Sequence, residues 1–284
     1  MKLDELLEET ATDAFELAAL AAAAAPDGAL LIGGSAADAL ATPHSDIDVF
    51  CFTDDASDAA STFVQAPGVT VHLHFVSGAS LRESGDALRA LATSRSPSVV
   101  PPALPYEHLA ALHALDRGIV LRDDAGLDVL RTAAGSDLTS LYVMLRSLYA
   151  CRAFASDAVG MLEADAHWAA LSVARRAGES ALDAALAAAG YVNPNPKWRA
   201  SLAVISVLRG EVSFSADDVR LTLFPDASDP VGAVRALAAS WAGVMTKVED
   251  GALAGAYDVA GEASAALSLL RDAAERASER SDGG

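Results

Sequence analysis

Basic residues are scarce in this chain. Lys and Arg number 20 against 39 Asp and Glu, a formal net charge of −19 over 284 residues. So acidic a surface is repelled by a phosphate backbone, and no basic cluster interrupts it. Nucleic acids and anionic membranes are therefore not expected partners, whereas a small nucleotide that brings its own magnesium remains compatible. Cysteine is nearly absent: Cys51 and Cys151 lie far apart in apolar surroundings. That excludes a disulfide framework or cysteine zinc module and points to buried free thiols in a reducing compartment. Aromatics make up only 6%, and alanine supplies much of the apolar content, which suits helices. Long apolar runs are missing too. The stretch Leu17 to Ala25 is too short and alanine-rich to span a bilayer. The opening Met1-Lys2-Leu3-Asp4-Glu5 is acidic where a signal peptide is basic. These features together predict a cytoplasmic protein.

What is present is globular: 52% hydrophobic and 21% charged residues, in a length that suggests roughly two domains. Residues 1–25 read as one helix ended by Pro26-Asp27-Gly28. Ala29-Leu30-Leu31-Ile32 reads as a buried strand stopped by Gly33-Gly34, with a short helix from Ser35 to Leu40. Strands are expected at 46–53, 69–76 and 118–123, and helices at 55–65, 80–93 and 106–115. Ser94 to Pro105 carries four prolines and excludes regular structure. After residue 124 strand signals stop. Helices are expected over 137–160, 163–190, 197–209, 229–248 and 256–279. This order argues for an α+β fold, a catalytic domain over 1–124 with a mixed sheet and flanking helices, then an all-helical domain over 125–284.

One constellation carries chemistry. Leu31-Ile32-Gly33-Gly34-Ser35 is followed, ten residues later, by Asp46-Ile47-Asp48-Val49-Phe50. Two glycines let backbone amides approach a ligand closely. A helix beginning at Ser35 would point its free N–H groups at the same place, where the hydroxyl can add a donor to a phosphate. Asp46 and Asp48, two apart on a strand, put both carboxylates on one face. Their repulsion invites a divalent cation, and magnesium suits one or two carboxylates completed by water and phosphates. A phosphate cradle beside such a dyad is equipment for phosphoryl or nucleotidyl transfer.

This pattern resembles the signature of the DNA polymerase beta-type nucleotidyltransferase superfamily, and the helical second half is similar to minimal nucleotidyltransferases and antibiotic-modifying adenylyltransferases. The resemblance implies transfer of a nucleoside monophosphate from ATP to a hydroxyl of a small acceptor, with Mg2+ on Asp46 and Asp48. Triphosphate would lie over Gly33, Gly34 and Ser35. Such enzymes carry a third carboxylate on a following strand; here that strand reads Val71-His72-Leu73-His74-Phe75. His72 and His74 share one face, where an imidazole can act as general base or bind a softer metal; Glu83 or Asp86 could instead reach in. The resemblance also implies a lysine presented to the triphosphate by the helical domain, and Lys197, beside Trp198 after a proline-rich loop, matches it. Arg146, Arg152, Arg175 and Arg176 could do the same. The alternatives are a non-catalytic nucleotide-binding or antitoxin-like protein, or an enzyme that modifies a protein hydroxyl.

Overall fold

The structure, a computed structural model, describes residues 1–10, 13–24, 27–53, 60–66, 68–94, 100–123, 126–192, 194–249 and 259–282. The chain divides into two compact units, Met1–Thr93 with Pro102–Thr139, and Ser94–Pro101 with Ser140–Gly284.

The first unit opens with α1 (Leu3–Thr10) and α2 (Ala14–Ala24). The single helix expected over residues 1–25 is thus two. Asp13, outside both, accepts the Glu16 backbone N–H at 2.7 Å, a cap that starts a new helix and contributes about 1 kcal/mol. There follow β1 (Ala29–Ile32), α3 (Gly34–Ala37), β2 (Ile47–Thr53), β3 (Ala60–Ala66), β4 (Val69–Ser77), α4 (Gly78–Ser94), α5 (Tyr106–Arg117), β5 (Ile119–Arg122) and α6 (Leu127–Ala134). The helix expected over 55–65 is corrected: residues 60–66 are a strand, and 55–59 lie outside the described residues. Thr62, Phe63 and Val64 favour a pleated surface, and pairing runs antiparallel from Ala60↔Phe75 to Ala66↔Val69. Gly68, at φ +75°, closes that hairpin. The short helix expected over 35–40 ends after one turn, because Ala39 adopts φ +58° and the Leu40 and Ala41 amides both return to the Ser35 carbonyl.

The strands form one mixed sheet in the order β3-β4-β2-β1-β5. Only β2 and β4 run parallel; the other neighbours are antiparallel. Alternation gives the sheet two chemically different faces. Leu30, Ile32, Ile47, Val49, Cys51, Val71 and Leu73 point to one face and are buried with Leu3, Leu6, Leu7, Leu17 and Ala21 of the two N-terminal helices. Asp48, Phe50, His72 and His74 occupy the other. The unit continues past residue 124 through α6. Arg131 Nε donates to the Leu115 carbonyl at 2.7 Å, and Arg89 donates to the carbonyls of Thr132 and Ala133. Gly85 makes that approach possible, since a Cβ there would stand 2.5 Å from the Ala133 oxygen.

In the second unit the regular elements among the described residues are helices: α7 (Thr139–Glu163), α8 (His167–Ala188), α9 (Arg199–Arg209), α10 (Ala216–Leu223), α11 (Pro230–Glu249) and α12 (Val259–Asp282). Neither α6 nor α10 was among the expected helices. α10 starts at a capping box, in which Ser215 and Asp218 satisfy each other's backbone N–H. Trp241, wholly buried, donates its indole N–H to Thr222 at 2.6 Å. The fold is α+β, a mixed sheet with flanking helices followed by a helical array. Among the described residues no helix is long and apolar enough to cross a membrane.

Candidate active site

The parallel pairing of β2 with β4 sets Asp48 opposite His72 and Phe50 opposite His74. All four side chains therefore emerge on one face, within the spacing of neighbouring strands. Asp48 Oδ1 lies 2.8 Å from His74 Nε2 and 3.5 Å from His72 Nδ1. One donor atom from each of Asp48, His72 and His74 falls within 4.8 Å of the others, and all three residues are half-buried. Asp46, just before β2, lies outside this group.

Aromatic rings hold the imidazoles in a row. Phe63 of β3 stacks on His72 at 4.1 Å, His72 meets His74 at 3.8 Å, and Phe50 stacks on His74 at 4.7 Å. Phe63 is 62% exposed, so its ring is held on the sheet by His72 rather than by a core. The His72 pKa is lowered, first by burial and then by His74; the Asp48 and Asp46 carboxylates oppose this without reversing it. The ring is thus biased towards its neutral form, with a lone pair available. Its buried Nε2 has no hydrogen-bond partner.

The glycine turn serves the carboxylate. Gly34 sits at φ +59°, and a Cβ on it would lie 2.3 Å from Asp48 Oδ2. A Cβ on Gly33 would lie 2.6 Å from the Phe50 ring. Both glycines make room for side chains of β2, a role that spacing alone did not reveal. Gly33 N–H donates to the Asp48 carbonyl at 2.9 Å, tying the turn to the strand. Ser35 is buried, and α3 has only four residues, too few to build a strong helix dipole. Of the expected phosphate cradle, Gly34 is the least buried part.

A residue that sequence reasoning passed over steadies this turn. His113 of α5, buried, contacts Asp38 at the end of α3 through Nε2 at 3.0 Å. A histidine in an apolar helical run, with a lone acid 75 positions away, leaves no local signal of such a pair.

The other expected residues have surroundings of their own. Glu83 and Asp86 are exposed on α4, and Asp86 pairs with Arg89 at 2.8 Å. Neither joins the Asp48 group. In the second unit Lys197 is exposed in a 3-10 turn, with its Nζ 5.1 Å from the Trp198 ring centre and its backbone N–H capped by Asn195. Arg152 pairs with Glu262, Arg175 pairs with Glu179, Arg176 lies over Phe154, and Arg146 reaches the Pro101 carbonyl. Both cysteines are buried and unbridged, and burial pushes each thiol up to about 12. Neither is a nucleophile at neutral pH.

The resemblance implies magnesium on Asp46 and Asp48; the group that meets here has a different donor set. Two of the three donors are imidazole nitrogens, whereas magnesium demands oxygen ligands.

No family model and no curated protein matches the chain. Among solved structures it is similar to a nucleotidyltransferase-like protein from Exiguobacterium sibiricum, with 14% identity, 93% of this chain and 74% of that one covered, and a TM-score of 0.41.

Proposed function

We propose that the chain is a nucleotidyltransferase that moves a nucleoside monophosphate from ATP to a hydroxyl of a small acceptor. The observation that carries this reading is the convergence of Asp48 with His72 and His74 on a solvent-reaching sheet face, beside a glycine turn shaped around the Asp48 carboxylate. The acceptor oxygen attacks the α-phosphorus, the bond to the β-phosphate oxygen breaks, and pyrophosphate leaves as the hydroxyl proton passes to a base. A half-buried carboxylate–imidazole group suits such a reaction, because charge placed there is screened less than in bulk water. The net charge of −19 favours a small acceptor over a nucleic acid.

Incubation with α-labelled ATP, a divalent cation and a panel of hydroxylated small molecules tests the reading. Pyrophosphate release with a labelled small product is expected, and Asp48→Ala should reduce its rate on the order of 10²-fold or more. A labelled polypeptide without a labelled small product would turn the reading towards protein modification. Absence of both turnover and nucleotide binding would refute it.

A further inference from the structure

We infer that Asp48, His72 and His74 form a site for a divalent transition cation of the zinc and cobalt type, with two nitrogen ligands, one oxygen ligand and an open position. The inference deepens the proposed function by naming the cation of that site, and it rests on that reading only for what the ion would serve.

The backbone delivers the ligands. Asp48 and His72 are register partners on parallel strands, and His74 is the next residue on the same face. Oδ1 of Asp48 already lies 2.8 Å and 3.5 Å from one nitrogen of each ring. Ligands about 2.0–2.2 Å from a tetrahedral ion stand roughly 3.4 Å apart, so binding asks for small side-chain shifts and no change of fold. The shorter of the two contacts is the His74–Asp48 hydrogen bond, and a cation would replace its proton.

The chemistry of the donors selects the ion. Imidazole suits zinc, copper, iron and nickel, while magnesium and calcium prefer oxygen. Three protein ligands with a position left open is the arrangement of catalytic rather than structural zinc sites. The rings are preorganised, His72 against Phe63 and His74 against Phe50. His72 in particular has spare capacity at the nitrogen that faces Asp48, because its Nδ1 contact to that carboxylate is long. A bound ion would occupy lone pairs that a general base needs, so in the metal-bound protein the two histidines are ligands and not bases.

The test uses the full chain without a histidine tag, stripped with a chelator and titrated with Co2+ in the absence of nucleotide. One equivalent should bind, with visible absorption bands of a low-coordinate site, and Zn2+ should displace it. Mg2+ should not compete at the same concentrations. His72→Ala and His74→Ala should each weaken Co2+ by more than the roughly 10–100-fold seen for losses around a metal site's outer shell. Circular dichroism should report an unchanged fold, and His74→Gln, which keeps a polar partner for Asp48, should bind equally poorly. Competition by Mg2+ at equal strength, or parental Co2+ affinity in either histidine variant, would overturn the inference. Because the titration contains no ATP, a protein that binds Co2+ but neither binds nor transfers nucleotide refutes the proposed function and leaves the metal site standing.

Discussion

Each unit contains a polar cluster anchored on a charged residue, and the two are satisfied to very different degrees. In the second unit Arg199 sits among acids. It donates to both carboxylate oxygens of Asp183, at 2.9 and 2.8 Å, and lies 3.2 Å from Glu179. All three side chains are at least four-fifths buried. In the same unit Asp218 is held by Ser215 and by the Ser240 hydroxyl. These groups have spent their bonding capacity on one another. In the first unit Asp48 faces two imidazoles, one at a long distance and with a buried nitrogen unpartnered. Saturated pairing fixes helices in place; unsaturated pairing leaves valence for a ligand.

Breaking the saturated cluster should cost most. Arg199→Ala leaves two buried carboxylates facing each other, and urea unfolding should show a loss of about 3 kcal/mol, with Co2+ binding unaffected. Second comes Gly34→Ala, at about 2 kcal/mol. Gly210→Ala provides its control: that glycine also has positive φ, +68°, but a Cβ there meets nothing within 4 Å. It should cost about 1 kcal/mol, so the difference measures the collision with Asp48. Equal losses would remove Asp48 from the explanation of Gly34.

The acid limb of stability separates the clusters further. Burial raises the Asp218 pKa, but the hydrogen bonds from Ser240 and Ser215 and the charge of Lys247 outweigh it and hold the carboxyl below its ordinary 3.8. A depressed folded-state pKa stabilises above the unfolded value, and that contribution is lost as pH falls below about 3.8 through the folded value. Asp218→Asn should therefore flatten the acid limb of a thermal-melt series, and an unchanged limb would contradict the assignment. The smallest effect should be that of Asp48→Ala on folding, within about 1 kcal/mol, because only one net hydrogen bond is lost. A larger loss would make the cluster of the first unit structural after all.

Much of this was legible in the chain. Alternation in Val69 to Val76 placed His72 and His74 on one face, and the run Ala29–Ile32 before two glycines marked a buried strand. The segment 60–66 was not legible as a strand, because alanine, serine and glutamine dilute its few β-favouring residues and its pairing with β4 is what decides it. α10 is short, and its capping box uses Asp218 where a glutamate would be the clearer mark. The break at Asp13 rests on one side-chain hydrogen bond inside an otherwise helical pattern.

The sequence by itself determined the α+β order, the two-faced strands, the acidic composition and the candidate residues of the site, since these follow from composition and from periods of two and 3.6. Only the tertiary structure decided which of them meet. Parallel pairing of β2 with β4 joined Asp48 to His72 and His74 and left Asp46 outside. Pairing of β1 with β2 brought Gly33 and Gly34 against the side chains of Phe50 and Asp48. Register and close approach arise between segments distant in sequence, and local propensity carries no record of them.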